Sequence, residues 1–565
     1  MYHPVKTLIA AVLMLGTSLP LTETLKAADA ASVQAVDTLF ADYDTPASPG
    51  CALGVIRDGQ FVYRRGYGMA NLEHDIPLSS RSVFRIGSTS KQFTAAAVAL
   101  LAEEGELSLD DSLRRHFPEF PDWADEIIIR QLIHHSSGLR DYLTLAELAG
   151  RGGDADSYSD EWVLELLSRQ QALNFPPGSS YLYSNSGYLL LAHLVQRVSG
   201  KSLREYSAGR IFGPLGMGDS HFHDDHTHIV PHRAAGYAPT HDGFRISMTT
   251  LDMVGDGGVY TTVDDLLAWD RNFYDNRLGR GGAELIRQLT TPGKLNSGEP
   301  LDYAFGLRVR DYRGLPTVSH GGAFVGFRAE MLRFPEQAFS VVALCNRADA
   351  DPGALARAVA DHHLAAELAP LPDTAAVAAD EQQPSLSTAE LARYAGYFWE
   401  PDEAILAQVR VIDGELWAVH SPQRRDRLLP VGPDRFRMTA VPGVVLIDFE
   451  MSGERVARMK RTVNGQPRGV FRPVRLRRVV AGELAAYAGR YYSPELDVHY
   501  EVTDAGDRLR FSIGDGPAHD LPPVFGETFE NPDYGAFEFR RGDAGSITGF
   551  ELQSGRVRGL VFKRS

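Results

Sequence analysis

Ser88 and Lys91 lie three residues apart where a helical pattern begins, in FRIGSTSKQFTAAAVALLAEEGELSLDD from Phe84 to Asp111. Residues so spaced share a helix face, so a hydroxyl and an amine placed there can touch. A lysine near the positive end of a helix, partly desolvated, has its pKa lowered. It can then take the serine proton or hold the hydroxyl for a second base. The pair is weak evidence alone, since a chain of this length carries roughly two by chance. It also reads as a serine N-cap with a solvated lysine one turn in. However, the chain has only seven lysines, and Lys91 alone follows a serine by three.

Two further motifs follow in order. Tyr183-Ser184-Asn185 lies in PPGSSYLYSNSGYLLLAHLVQRVSG, where a Pro-Gly turn and a loop precede an apolar helix. Tyr183 alone could be an ordinary loop tyrosine, and Asn185 a helix cap. His320-Gly321-Gly322 lies in TVSHGGAFVGFRAEMLRF, which reads as a strand. His241-Asp242-Gly243 has the same His-x-Gly form, but polar turn residues surround it. The ordered set Ser-x-x-Lys, Tyr-x-Asn, His-x-Gly resembles the serine hydrolases built like class C β-lactamases and D-alanyl-D-alanine peptidases. HHSSGL at 134–139, PLGM at 214–217 and GDGGVYTTVDDLLAW at 255–269 are similar to that family too. The resemblance covers residues from about 40 to 365.

The resemblance implies an α/β fold, with a central antiparallel sheet and a helical region. It implies Ser88 as nucleophile, with Lys91 and Tyr183 as proton handlers. An unperturbed phenol, with a pKa near ~10, is a poor base at neutral pH, but an adjacent ammonium makes its anion easier to form. Whether Lys91 or Tyr183 is the base stays open, and the pair is expected to titrate as a unit. Asn185 would bond Lys91 and the substrate amide. The backbone N–H groups of Ser88 and Ala323 would form the oxyanion hole, with Gly321 and Gly322 beside the substrate. No metal or cofactor is needed. The family's third motif is usually Lys-Thr-Gly or Lys-Ser-Gly, whose lysine and hydroxyl help hold a substrate carboxylate. His320 and Gly321 depart from it. That weakens a β-lactam or a C-terminal carboxylate as the natural substrate, and suits an ester or a peptide amide with a free amino end. A β-lactamase or carboxypeptidase, or a non-catalytic binder of peptidoglycan peptides, remains the rival expectation.

The elements that must position these residues fall into several domains, since 565 residues exceed one core. Residues 1–30 read as an export signal, with Lys6, an apolar core over 7–19 and a small-x-small cleavage site at Ala28–Ala30. A secreted or periplasmic protein is expected, with no stable membrane insertion after cleavage. Residues 31–367 hold the motifs. They open on an Arg-Asp-Gly hairpin turn at 57–59. Residues 368–388 are rich in Ala, Pro and acid and read as a linker. Two all-β units follow, 389–478 and 479–565. AELARYAGYFWEP at Ala389 recurs as GELAAYAGRYYSP at Gly482, 93 residues on, as expected for two small β-barrels or sandwiches. A hydrolase domain with two barrels resembles the D-aminopeptidases of this family. There the last barrel sends a loop toward the active site, and the turn Gly514-Asp515-Gly516-Pro517 is one candidate for that loop.

The net charge of −16, with no basic block, argues against nucleic acid as a partner, and none is expected. A small peptide, amide or ester is the expected partner, and oligomeric state is left open. HFHDDHTHIVPH at 221–232 has a zinc-like density of ligands. Its one His-x-x-x-His pair encloses Pro231, which argues against a helix, and a surface loop is the expectation. Cys51 and Cys345 sit in strand-like runs and are expected as two buried free thiols. The corresponding strands are neighbours in the family resembled, so a disulfide is conceivable in an oxidising compartment.

Overall fold

The computed structural model describes residues 33–565 apart from 153–157, 371–385, 402–404, 421–424, 440, 442–443, 464 and 481. The expected signal segment and residues 371–385 of the expected linker lie outside the described residues. No helix among the described residues is long and apolar enough to cross a membrane.

The hydrolase region is built on a six-stranded antiparallel sheet joining the two ends of that region. Strands β1 (Cys51–Arg57) and β2 (Gln60–Tyr67) form a hairpin. Its turn uses Asp58 and Gly59, both at positive φ, as a tight two-residue turn requires. Strands β3 (Arg308–Tyr312), β4 (Leu315–Phe324), β5 (Phe327–Phe334) and β6 (Phe339–Cys345) complete the sheet in the order β3-β4-β5-β6-β1-β2. Alternate residues of β6 enter different cores. Val342 and Leu344 face the helical region, while Val341, Ala343 and Cys345 pack with the helix Pro352–His363. A strand covered on both faces has no polar face to show, so FSVVALC is apolar but for Ser340, whose buried hydroxyl donates to Asp270 at 2.7 Å.

Cys51 pairs directly with Cys345 in the β1–β6 register, and the two form a disulfide. The expectation of two free thiols is therefore corrected. Strand adjacency between residues 294 apart sets the pairing.

The helical region places α1 (Lys91–Glu104), α2 (Tyr142–Leu148) and α3 (Asn185–Ser199) against the sheet. Helix α1 is buried continuously from Lys91 to Leu101. Its all-round apolar sequence fits a helix with no solvent face.

The two tail domains differ in how they attach. Eight strands between Gly396 and Val474 close into a barrel with its own core around Phe398, Phe436, Phe449 and Phe471. Nine strands between Gly489 and Arg564 form a second, nearly closed unit, whose core is continuous with that of the hydrolase region. The repeated phrase has one structural job in both. Tyr394 donates to Asp434 at 2.6 Å and Tyr487 to Glu527 at 2.5 Å, each acceptor forty residues on. The second unit docks through polar contacts out of reach of water. The Arg140 guanidinium donates to Glu495 at 2.8 Å, with both side chains at most 3% exposed. It also donates to the carbonyls of Arg558 and Gly559, and Tyr500 Oη donates to Leu148 O at 2.8 Å.

Candidate active site

Ser88 sits in a short 3-10 turn, Gly87–Ser90, that leads into α1. Lys91, the first residue of α1, is fully buried. Its Nζ lies 3.3 Å from Ser88 Oγ, 2.9 Å from Asn185 Oδ1 and 2.5 Å from Asp256 O. The last two oxygens can only accept, so they take two N–H bonds. The third position faces Ser88. It gives a proton to Oγ when Lys91 is an ammonium, and takes one when Lys91 is an amine. Asn185 is thus the first helical residue of α3 rather than its cap. The α3 cap position, Ser184, makes no side-chain capping bond. Asp141 caps from outside instead: its carboxylate accepts the Asn185 N–H at 2.7 Å while capping α2.

Tyr183 stands over the same ammonium, with Lys91 Nζ 4.8 Å from its ring centroid. The Tyr183 hydroxyl is buried and has no hydrogen-bond partner among the described residues. His135 packs on the Tyr183 ring at 4.1 Å and accepts the Ser184 N–H at Nδ1. Complete burial beside Lys91 pushes its pKa well below the usual imidazole value, so His135 is neutral.

The third motif closes the site from the sheet. Strand β4 runs against the Ser88 turn more closely than side chains permit. A methyl group on Gly87 would stand 2.9 Å from Ala323 N, and one on Gly322 would overlap the Ile86 carbonyl oxygen. Thr89 Oγ1 donates to His320 O at 3.1 Å and pins the crossing. The backbone at Ser88 and Ala323 is thereby brought together, as an oxyanion hole needs. His320 donates from Nδ1 to Gly321 O at 2.6 Å and accepts the Tyr303 hydroxyl at Nε2, 2.9 Å away. Burial, with Lys91 nearby, pushes its pKa down to about 3. The histidine at the family's lysine position is therefore an uncharged hydrogen-bonding group. The other His-x-Gly histidine, His241, is fully exposed in a hairpin turn.

Ser88, Tyr183, Asn185 and His320–Ala323 line one cavity of roughly 910 Å³. Its wall also carries Arg85, Arg308, Arg310, Arg328, Arg357 and Arg556 against Asp256, Glu330 and Asp351. Burial raises the Glu330 carboxyl to about 7. Arg556 comes from the second tail domain, at the turn between strands Ile547–Ser554 and Val557–Arg564. The turn at Gly514–Pro517 does not reach this cavity. Gly516 and Pro517 line a separate pocket with Glu147, Gly150 and Gly152, so the turn named as one candidate for a loop at the active site does not fill that role. In the histidine-rich loop, His221 and His223 bond each other at 3.1 Å. No group of three or more ligand-type side chains poised for a metal occurs among the described residues. Sequence reasoning assigned no role to His135, Asp141, Asp256 or Arg556. HHSSGL marked the neighbourhood of the first two, whereas Arg556 has no local signature.

Fold and site together define a serine hydrolase. The family model described as Beta-lactamase matches residues 36–366, and the chain belongs to that family. A D-aminopeptidase from a strain of Cereibacter sphaeroides is 30% identical over 526 residues, covering 91% of this chain and 92% of the relative. Two solved structures share the fold. The octameric penicillin-binding protein homologue from Pyrococcus abyssi has a TM-score of 0.53 at 23% identity, over 79% of this chain and 99% of that one. The D-amino acid amidase from Ochrobactrum anthropi SV3, complexed with D-phenylalanine, has a TM-score of 0.51 at 20% identity, over 59% of this chain and 99% of that one.

Proposed function

We propose that the protein is an exported amide hydrolase of the D-aminopeptidase type, acting through an acyl-enzyme on Ser88. The observation that carries the mechanism is the three-way grip on Lys91, with its third position facing Ser88 Oγ. Ser88 Oγ attacks the carbonyl carbon as its proton passes to the Tyr183 oxygen or the Lys91 amine. The carbonyl electron pair moves onto oxygen, facing the N–H groups of Ser88 and Ala323. Collapse breaks the C–N bond, and the departing amine takes the proton. Water then attacks the ester carbon and gives its proton to the same base, which returns it to Ser88 Oγ as the acid leaves. Asn185 holds Lys91 and offers its amide to the substrate.

The match to a D-aminopeptidase over 91% of this chain supports the substrate class. So does the neutral His320, which supplies no cation for a β-lactam carboxylate. The disulfide supports export to an oxidising compartment, as does the apolar stretch near residue 10. The test is hydrolysis of D-alanine and L-alanine p-nitroanilides, a short-chain ester and a chromogenic cephalosporin, by wild type and Ser88→Ala. The expected result is D-anilide turnover above cephalosporin turnover, lost in S88A with melting unchanged. Cephalosporin turnover without amidase or esterase activity overturns the substrate class, and an active S88A overturns the nucleophile.

A further inference from the structure

Tyr183 has two cations at its ring. Lys91 Nζ is 4.8 Å from the centroid, and so is the guanidinium carbon of Arg556. The two come from different domains, and Arg556 lies 373 residues from Tyr183. A phenolate spreads negative charge into its ring, so a cation over the ring favours the anion over the phenol. The Tyr183 oxygen has no hydrogen bond among the described residues to do that work.

Few other charges reach this ring. His135, His320 and Tyr303 pack around it, and Tyr181 and Tyr188 interact with it electrostatically. Burial holds both imidazoles neutral and pushes the three phenols up. Arg308 of β3 acts on Tyr183 at longer range, but it lies over the Tyr303 ring and is engaged by Asp302 at 3.6 Å. Asp141 sits 3.5 Å from Arg556 and offsets part of its charge. Asp256 lies beyond Lys91, bonded to Tyr142.

We propose that Arg556, carried by the last domain, is a positioning residue for catalysis, supplying the second cation that holds Tyr183 ready as the base. His320 puts no charge at the family's lysine position, and the docked domain brings a cation to Tyr183. This inference rests on the reading of Tyr183 as a proton acceptor. It differs from a gate, because it acts on the base rather than on substrate size.

The geometry allows a clean test. The Arg556 turn is held by its backbone: Asn174 Nδ2 donates to Arg556 O at 2.9 Å, and Arg558 N donates to Asn174 Oδ1 at 2.8 Å. The Arg556 side chain is 43% exposed, so substitutions there leave docking intact. The measurement is kcat/KM for D-alanine p-nitroanilide from pH 5 to 10, in full-length wild type, Arg556→Gln, Arg556→Lys and Tyr183→Phe. In R556Q the acidic limb is expected to move up by about one pH unit. That is about a tenfold loss below the limb, with a plateau within about threefold of wild type. R556K should keep the wild-type limb. An unmoved limb in R556Q, an R556K profile equal to R556Q, or an R556Q that melts below assay temperature overturns the proposal. If Y183F itself keeps wild-type activity, the base assignment fails first, and the Arg556 result is then read as substrate contact.

Discussion

Replacing Gly322 with alanine tests the site's tightest packing contact. The new methyl would overlap Ile86 O and stand 2.9 Å from both the Ile86 carbonyl carbon and Thr89 Oγ1. Those are mostly backbone atoms, and the turn they belong to continues into the buried helix α1. Relief therefore requires β4 to retreat by about 1.5 Å, since non-bonded heavy atoms settle near 3.5 Å. Ala323 is the next residue and moves with the strand. An N–H at hydrogen-bond distance from the developing oxyanion would then lie beyond reach. Loss of one such donor costs about 10²–10³ in kcat. Overpacking adds about 1–3 kcal/mol of instability, a drop of a few degrees in melting temperature. The neighbouring Gly321→Ala is the comparison. Its methyl would meet only Glu330 Oε2 at 2.8 Å, the end of a flexible side chain. The assay is kcat and KM on D-alanine p-nitroanilide, with thermal melting of each variant. A G322A enzyme with kcat within about threefold of wild type, or no worse than G321A, would refute the reasoning from the crossing.

Three other outcomes follow from the same geometry. Cys51→Ser with Cys345→Ser should lower the melting temperature, because the disulfide closes a span of 294 residues; the chain-entropy ceiling is about 5–6 kcal/mol, and matched melts of reduced and oxidised wild type check it. Glu495→Ala leaves Arg140 buried without its carboxylate, and should cost about 3–5 kcal/mol; limited proteolysis should then release the last domain while the first barrel stays folded. Glu330 has a folded pKa near 7 against an ordinary 4.5, so its neutral form is the one the fold favours: that stability is present below pH 4.5 and lost as pH rises through 7. Glu330→Gln should therefore melt higher than wild type at pH 8 but not at pH 4, by about 2 kcal/mol, and equal differences at both pH values would sink the assignment.

Much of this was legible along the chain because its causes are local. The Ser88–Lys91 spacing sets two side chains on one helix face. The Asp58-Gly59 turn has the backbone freedom a two-residue hairpin needs. The phrases at Ala389 and Gly482 repeat a tyrosine whose hydroxyl meets a carboxylate forty residues later in both copies. Other features depend on which segments the fold brings together. Cys51 and Cys345 look like two buried hydrophobes until strand order makes β1 and β6 neighbours. His320 is legible as a departure from the family's lysine, but its neutral state is set by burial and the Tyr303 hydroxyl. The Gly514–Pro517 turn has the composition of a loop, yet it is the Arg556 turn that lines the active-site cavity. No pattern in residues 547–564 announces that, because the placement comes from the Arg140–Glu495 pair and a shared core. Helix periodicity and turn chemistry are written in neighbouring residues. The charge state of a buried group and the identity of a distant neighbour are decided by desolvation and packing, which exist only once the chain has folded.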